Sequence, residues 1–334
     1  MVSTSSSANL SLQYRNESRG SEVVAASVLF IVLGTVFTLL RAWARFLQVT
    51  PFLWGDVLVP IGLVFLIATS AVAIAAVEVG NFGRHTKVIW RYYPESLALN
   101  FQLLFYALPC LYCFAITFPK LAILNLYIHV CREPWMRWAS YGITAITIIS
   151  ALVNLFTTIF QCTPIDQLWN PSPKGHCMNI GAHFQWASFP NIFTDVAILI
   201  VPIPMVLKLE VPMRLKVGVA VTFFTGSIGL VASIARFASF NRSTAADPFW
   251  DSVPAAIWTV AEPGIYLIAA CLVTLKPLIN YIFRESRIAP AFSKNSTSRT
   301  LSSQDEESRG VKMYSLPGIR GGTAVAPASR FSKM

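Results

Sequence analysis

Four ionisable residues stand in stretches where charge is otherwise scarce: Lys120, Asp195, Arg236 and Glu262. A charge among apolar residues must be paired, hydrogen-bonded or neutralised, because burying it alone is costly. Inside membrane-length segments such residues mark either ion pairs that lock helices together or a polar path for a ligand or proton. Both readings stay open for these four. The remaining chemistry is sparse. His85, His129, His176 and His183 are the only histidines, and His176 and His183 with Cys177 are the one set with a metal-ligand flavour. A metal site wants three or four ligands in closed geometry, and Cys177 has a nearer partner in Cys162. No Ser/His/Asp order, phosphate loop or dinucleotide motif is present. The expectation is therefore no catalytic, cofactor-binding or metal site, and no enzyme.

The elements that must position these charges are apolar runs of membrane length. Seven are legible: Val23 to Leu40, Val57 to Val77, Leu97 to Phe118, Ala139 to Phe160, Phe184 to Leu207, Val217 to Ala235 and Val253 to Leu275. Only Asp195 and Glu262 put a charge inside them. With 54% hydrophobic and 13% charged residues, the chain lies far from the soluble average of about 25% charged. A run of about twenty apolar residues crosses the hydrocarbon core as a helix, which satisfies its own backbone. The fold expected is an all-α membrane protein, one bundle of seven transmembrane helices. At ~1.5 Å per residue Asp195 lies ~17 Å and Glu262 ~14 Å into their spans, so the two carboxylates share a layer. Lys120 reaches Asp195 if the third helix starts near Leu104, and Arg236 at the top of the sixth is the natural counter-ion of Glu262.

Orientation is less legible. With the amino terminus outside, the short inner segments and the outer ones each hold eight Lys or Arg, counting Lys120 inside and Arg236 outside. The positive-inside rule thus ties. Sequons at Asn9, Asn16 and Asn241 all fall outside in that orientation, where glycans are added. Cys162 and Cys177 flank a loop rich in Pro, Gly and Trp, and a disulfide there requires an oxidising compartment. Two free thiols are the alternative. The expected organisation is a short extracellular polar segment over 1–22, a membrane domain over 23–283, and a disordered basic Ser-rich cytoplasmic tail over 284–334.

Ordered motifs then resemble a known family. They are Arg41-x3-Arg45 with Trp54-Gly55-Asp56, Lys120 with Tyr127, and Phe160-Gln-Cys162-Thr-Pro164 with Trp169 and Cys177. Asp195 before Pro202-Ile-Pro204, Gly226 with Arg236, and Trp258-x3-Glu262 with Pro277 complete the order. Together they look like the fungal rhodopsin-domain family, seven-helix integral membrane proteins of the satratoxin-cluster type, over about Val24 to Phe283. The loop Val79 to His85 is a loosened version of the family's, and Lys120 is followed by Leu-Ala-Ile rather than the usual Leu-Ser-Ile. The resemblance implies a multi-pass fungal membrane protein linked to secondary metabolism. Some relatives carry a Cys-rich outer module and look like receptors; this chain has no Cys before Cys110.

A retinal Schiff base would need a lysine at mid-membrane in the last helix, and its only lysine, Lys276, sits at the inner boundary beside Pro277. The third helix also has no Asp or Glu to act as counter-ion. Motifs of the common animal receptors are missing as well. Two function classes remain: a receptor-like sensor of a small extracellular ligand, with a signalling partner on its inner loops and tail, and a transporter or export accessory for a pathway metabolite. Absence of an inverted repeat favours the sensor. The bilayer is the sure partner, nucleic acid is not expected, and the plasma membrane is the expected location, with an endomembrane open.

Overall fold

The computed structural model describes residues 12–48, 54–130, 133–170, 173–204, 213–242 and 247–292. One short helical piece and the first two long helices open the order: α1 (Leu12–Asn16), α2 (Gly20–Gln48) and α3 (Gly55–Glu78). There follow α4 (Thr86–Tyr92) and then α5 (Pro94–Gln102), which runs through a π-helical turn at Leu103–Ala107 into α6 (Leu108–Val130). After α7 (Pro134–Ile159), two short strands, β1 (Cys162–Thr163) and β2 (His176–Cys177), precede α8 (Ile180–Ile200). The series closes with α9 (Met213–Arg242), α10 (Pro248–Asp251) and α11 (Val253–Phe292). Residues through Arg284 form one compact unit, and Glu285 onward a second. The last helix thus runs past the boundary at 283, and 293–334, most of the expected tail, lie outside the described residues.

Local signals explain the ends. Proline occupies the first turn of α5, α7 and α10, where its missing N–H is not needed. Asn179 caps α8, its side chain accepting from the Ala182 amide at 3.1 Å. Glu22 opens α2 and Arg45 closes it, each complementing the helix dipole.

Burial is inverted relative to a soluble protein. Leu29, Val32, Val36, Leu39, Trp43 and Phe46 are all more than half exposed along one face of α2. Their spacing of three or four places them on one stripe, which lipid covers. Trp135, Trp138 and Tyr141 are likewise exposed at the start of α7, where aromatic rings favour the membrane interface. Six helices among the described residues are long and apolar enough to cross a membrane. Residues 184–200 of the expected fifth span lie in α8, 21 residues long, diluted in apolarity by His183, Gln185, Asn191 and Asp195, and 205–207 of that span lie outside the described residues. The last helix is central: 72% of its apolar window is buried, against 17% for α7.

Side chains at the two ends of the bundle are tied differently. At one end His85 is stacked between the rings of Tyr14 and Trp250, each at 4.1 Å. Asp247 accepts there from the amide and hydroxyl of Thr86, both at 2.7 Å, and contacts His85 Nδ1 at 2.5 Å. Cys162 and Cys177 face each other in the β1–β2 pair and form a disulfide. Gln161 donates to the Phe105 carbonyl in the π turn at 2.9 Å, and Tyr106 to the Ile165 carbonyl at 3.0 Å. At the other end Arg41 and Arg45 converge on Asp56 Oδ1 at 2.9 and 3.0 Å, and Arg41 also donates to the Ala270 carbonyl at 2.7 Å. The spaced Arg41/Arg45 and Gly55-Asp56 motifs are thus two halves of one cluster.

Two placements read from the sequence are corrected. Arg236 is not an outer-loop charge, because α9 continues to Arg242, and the residue is 5% exposed within the helix. Lys120 is not at the inner boundary but 1% exposed inside the bundle. Removing one from each side of the charge tally takes eight against eight to seven against seven. Of the sequon asparagines, Asn16 and Asn241 are exposed, and Asn9 lies outside the described residues.

Candidate functional site: a buried ionic network beneath a cavity

Lys120 on α6, Asp195 on α8, Arg236 on α9 and Glu262 on α11 come together in one network. The ammonium of Lys120 pairs with Asp195 Oδ1, and both side chains are essentially inaccessible. Lys120 also donates to Asn191 Oδ1 at 2.7 Å and to Thr194 Oγ1 at 3.3 Å, and stands 5.1 Å over the Tyr266 ring. Arg236 donates through Nε to Glu262 Oε2 at 2.9 Å, an oxygen that also accepts from the Tyr112 hydroxyl at 2.8 Å. The guanidinium lies over Tyr112 at 4.5 Å and over Phe240 at 5.8 Å.

One hydroxyl joins the two pairs. Ser233 Oγ contacts Asp195 Oδ2 and, at 2.5 Å, Glu262 Oε1. Asn191 Nδ2 also reaches Glu262 Oε1 at 2.5 Å. Both carboxylates therefore touch one side chain on α9, which places them in the same layer. Such crossing bonds are strong where water is absent, since an unpaired member would carry its full desolvation penalty. Helix approach is part of the design. A Cβ on Gly229 would stand 2.8 Å from the Tyr266 ring, so only glycine lets that ring lie against α9.

Sequence reasoning missed Asn191, Ser233, Tyr112 and Tyr266. The available signal was helical spacing: Asn191 lies four residues before Asp195, Ser233 three before Arg236, Tyr112 eight before Lys120 and Tyr266 four after Glu262. Each shares a helix face with a charged member.

Above the network is a partly open cavity of about 100 Å³. Its lining comes from the π-helical turn, α6 through α9 and the start of α11, with Phe82 and Ser252 contributed from the end that carries the disulfide. Lys120, Asn191, Thr194 and Arg236 supply its polar floor, and Thr147, Ser150 and Asn154 a hydroxyl- and amide-bearing wall on α7. Below Lys120, Ile123, Leu124 and Tyr127 are buried in the apolar core. His183 lines the cavity, while His176 is on β2, and Cys177 is committed to the disulfide. Among the described residues no three His, Cys, Asp or Glu converge as metal ligands.

Fold and site define an all-α, multi-pass membrane protein with an ionic core. Residues 40–281 match the fungal rhodopsin domain, and the chain belongs to that family. It is 34% identical over 265 residues to the polyenoic acids biosynthesis gene cluster protein Ba17b of Metarhizium anisopliae, spanning 76% of this chain and 72% of that one. An SAT4 family membrane protein of Emericella nidulans is 28% identical over 75% of this chain and 64% of its own length. The receptor GIN3 of Arthrobotrys oligospora is 26% identical over 83% of this chain and 67% of its own. No solved structure matches the chain significantly.

Proposed function

We propose that this protein is a receptor-like sensor of a small extracellular ligand, working without retinal and without enzymatic chemistry. The ligand enters the cavity from the disulfide-bearing end, which faces outside together with the amino terminus, and the bundle spans the plasma membrane seven times. The observation that carries this reading is the cavity seated on four charged residues from four different helices. A ligand that alters any of those contacts changes the balance between helix arrangements, which is all a sensor needs. The name of one relative contains the word receptor, and others are named for biosynthetic clusters, which supports a sensed compound from secondary metabolism.

Transport is the second reading, favoured by those cluster names. Against it stands the apolar packing of Ile123, Leu124 and Tyr127 below Lys120. The test uses purified protein in nanodiscs and fractions of fungal metabolite extract. A ligand at one hundred times its Kd stabilises by about 2.7 kcal/mol, so fractions should raise the melting temperature of the wild type and not of Ala151→Phe, which fills the cavity. Accumulation of the same compound inside sealed proteoliposomes would replace sensing by transport. A carboxyl-terminal tag cut by protease on intact cells would overturn the orientation.

A further inference from the structure

We propose that the ligand class is a monoanionic amphiphile, a carboxylate held by Arg236 with an apolar chain along the cavity; this rests on the sensor reading and specifies its ligand. The argument begins with the asymmetry of the network. Asp195 and Glu262 have no exposure and do not line the cavity, whereas their cationic partners Lys120 and Arg236 do. The space above the network therefore meets the positive side of each pair.

The two cations are not equally committed. Lys120 spends its ammonium on Asp195, Asn191 and Thr194. Arg236 donates only through Nε, and among the described residues its two terminal nitrogens have no hydrogen-bond partner. At 5% exposure, an arginine with two idle donors is an open fork facing the cavity. Guanidinium forks match carboxylates with two parallel charge-assisted bonds. Stacking on Tyr112 and Phe240 fixes the plane of that fork before any ligand arrives, which lowers the ordering cost of binding.

The walls set the rest of the ligand. Leu104, Phe105, Leu108, Ile116 and Phe184 give the cavity an apolar lining. An apolar chain gains by leaving water there, while a second charge would find no partner among them. A cationic head is excluded by the same positive floor.

The experiment compares decanoate, methyl decanoate and decylamine binding to full-length protein in zwitterionic nanodiscs at neutral pH, with empty nanodiscs as the blank. Decanoate should bind at least about tenfold tighter than the ester, the difference one charge-assisted hydrogen bond makes, and the amine should not bind. Arg236→Lys keeps a charge for Glu262 and loses the fork; the folded variant should bind acid and ester alike, whatever it loses in melting temperature. Ala151→Phe should weaken acid and ester together. Equal affinity for acid and ester, or no binding of either, overturns the carboxylate assignment, and the sensor reading then stands or falls on the extract test. Binding unchanged in Ala151→Phe removes the cavity from both proposals. Should Arg236→Lys fail to fold, the acid, ester and amine series on the wild type decides alone.

Discussion

Two ionic clusters in this molecule use the same residue types in different surroundings. The central network holds Lys120, Asp195, Arg236 and Glu262 at no more than 6% side-chain exposure, and hydroxyls and an amide serve the carboxylate oxygens. The Arg41, Arg45 and Asp56 cluster sits at the end of the bundle, with Arg45 and Asp56 each 20% exposed. Water can replace a lost partner at the rim and cannot at the centre. A polar residue missing from the core therefore leaves a stranded charge, while one missing from the rim leaves a hydrated one.

The largest expected effect breaks the centre. Asp195→Asn or Lys120→Met alone should cost roughly 3 to 5 kcal/mol, the cost found for an uncompensated buried charge, and the double variant should recover part of it. Thermal unfolding in mild detergent measures the cycle. Additive losses would mean that the two residues do not act as a pair.

The disulfide is the covalent tie of the end opposite Asp56. Replacing Cys162 and Cys177 together by Ser should cost roughly 3 kcal/mol by loop entropy for about fifteen residues. If the network alone sets stability, the double variant will melt with the wild type. Thiol labelling before and after reduction reports the bond itself.

A milder loss is expected at the other rim. Asp56→Asn leaves Arg41 its bond to the Ala270 carbonyl, and should cost about 1 kcal/mol, in the range of partly exposed pairs. A loss as large as that of Asp195→Asn would erase the distinction between the two clusters.

The smallest effect is a pH dependence at the His85 end. Burial raises the Asp247 pKa, but hydrogen bonds from Thr86 and His85 outweigh it and leave the carboxyl below its ordinary value of 3.8. A depressed carboxyl stabilises the fold above its unfolded pKa, and that contribution disappears as pH falls through the folded one. Acidification below about pH 4 should thus loosen the contact between α4 and α10 first. Hydrogen exchange at residues 85–92 and 247–251 should rise there before the central helices respond, and Asp247→Asn should remove the dependence.

These comparisons also show what was legible from the chain. Asp195 and Glu262 stood out because a charge in a long apolar run is rare, and Cys162 and Cys177 because they flank one loop. Lys120 and Arg236 were harder: each lies next to or beyond the end of a hydropathy-defined span, and a linear profile reads such a residue as a boundary charge. Their burial follows from helices that continue past the apolar windows, α6 to Val130 and α9 to Arg242.

By itself the sequence determined an all-α, multi-pass membrane protein, because backbone polarity in lipid leaves a twenty-residue apolar run only the helix. It also demanded partners for its intramembrane charges. Tertiary structure alone decided that one serine would join both carboxylates, that Asn191 and Tyr112 would complete their shells, and that the cavity would meet the cations rather than the anions. Each residue advances about 100° around a helix, so which neighbour it meets depends on how every helix is rotated against the others. That rotation is fixed by packing across the bundle, and hydropathy along the chain carries no record of it.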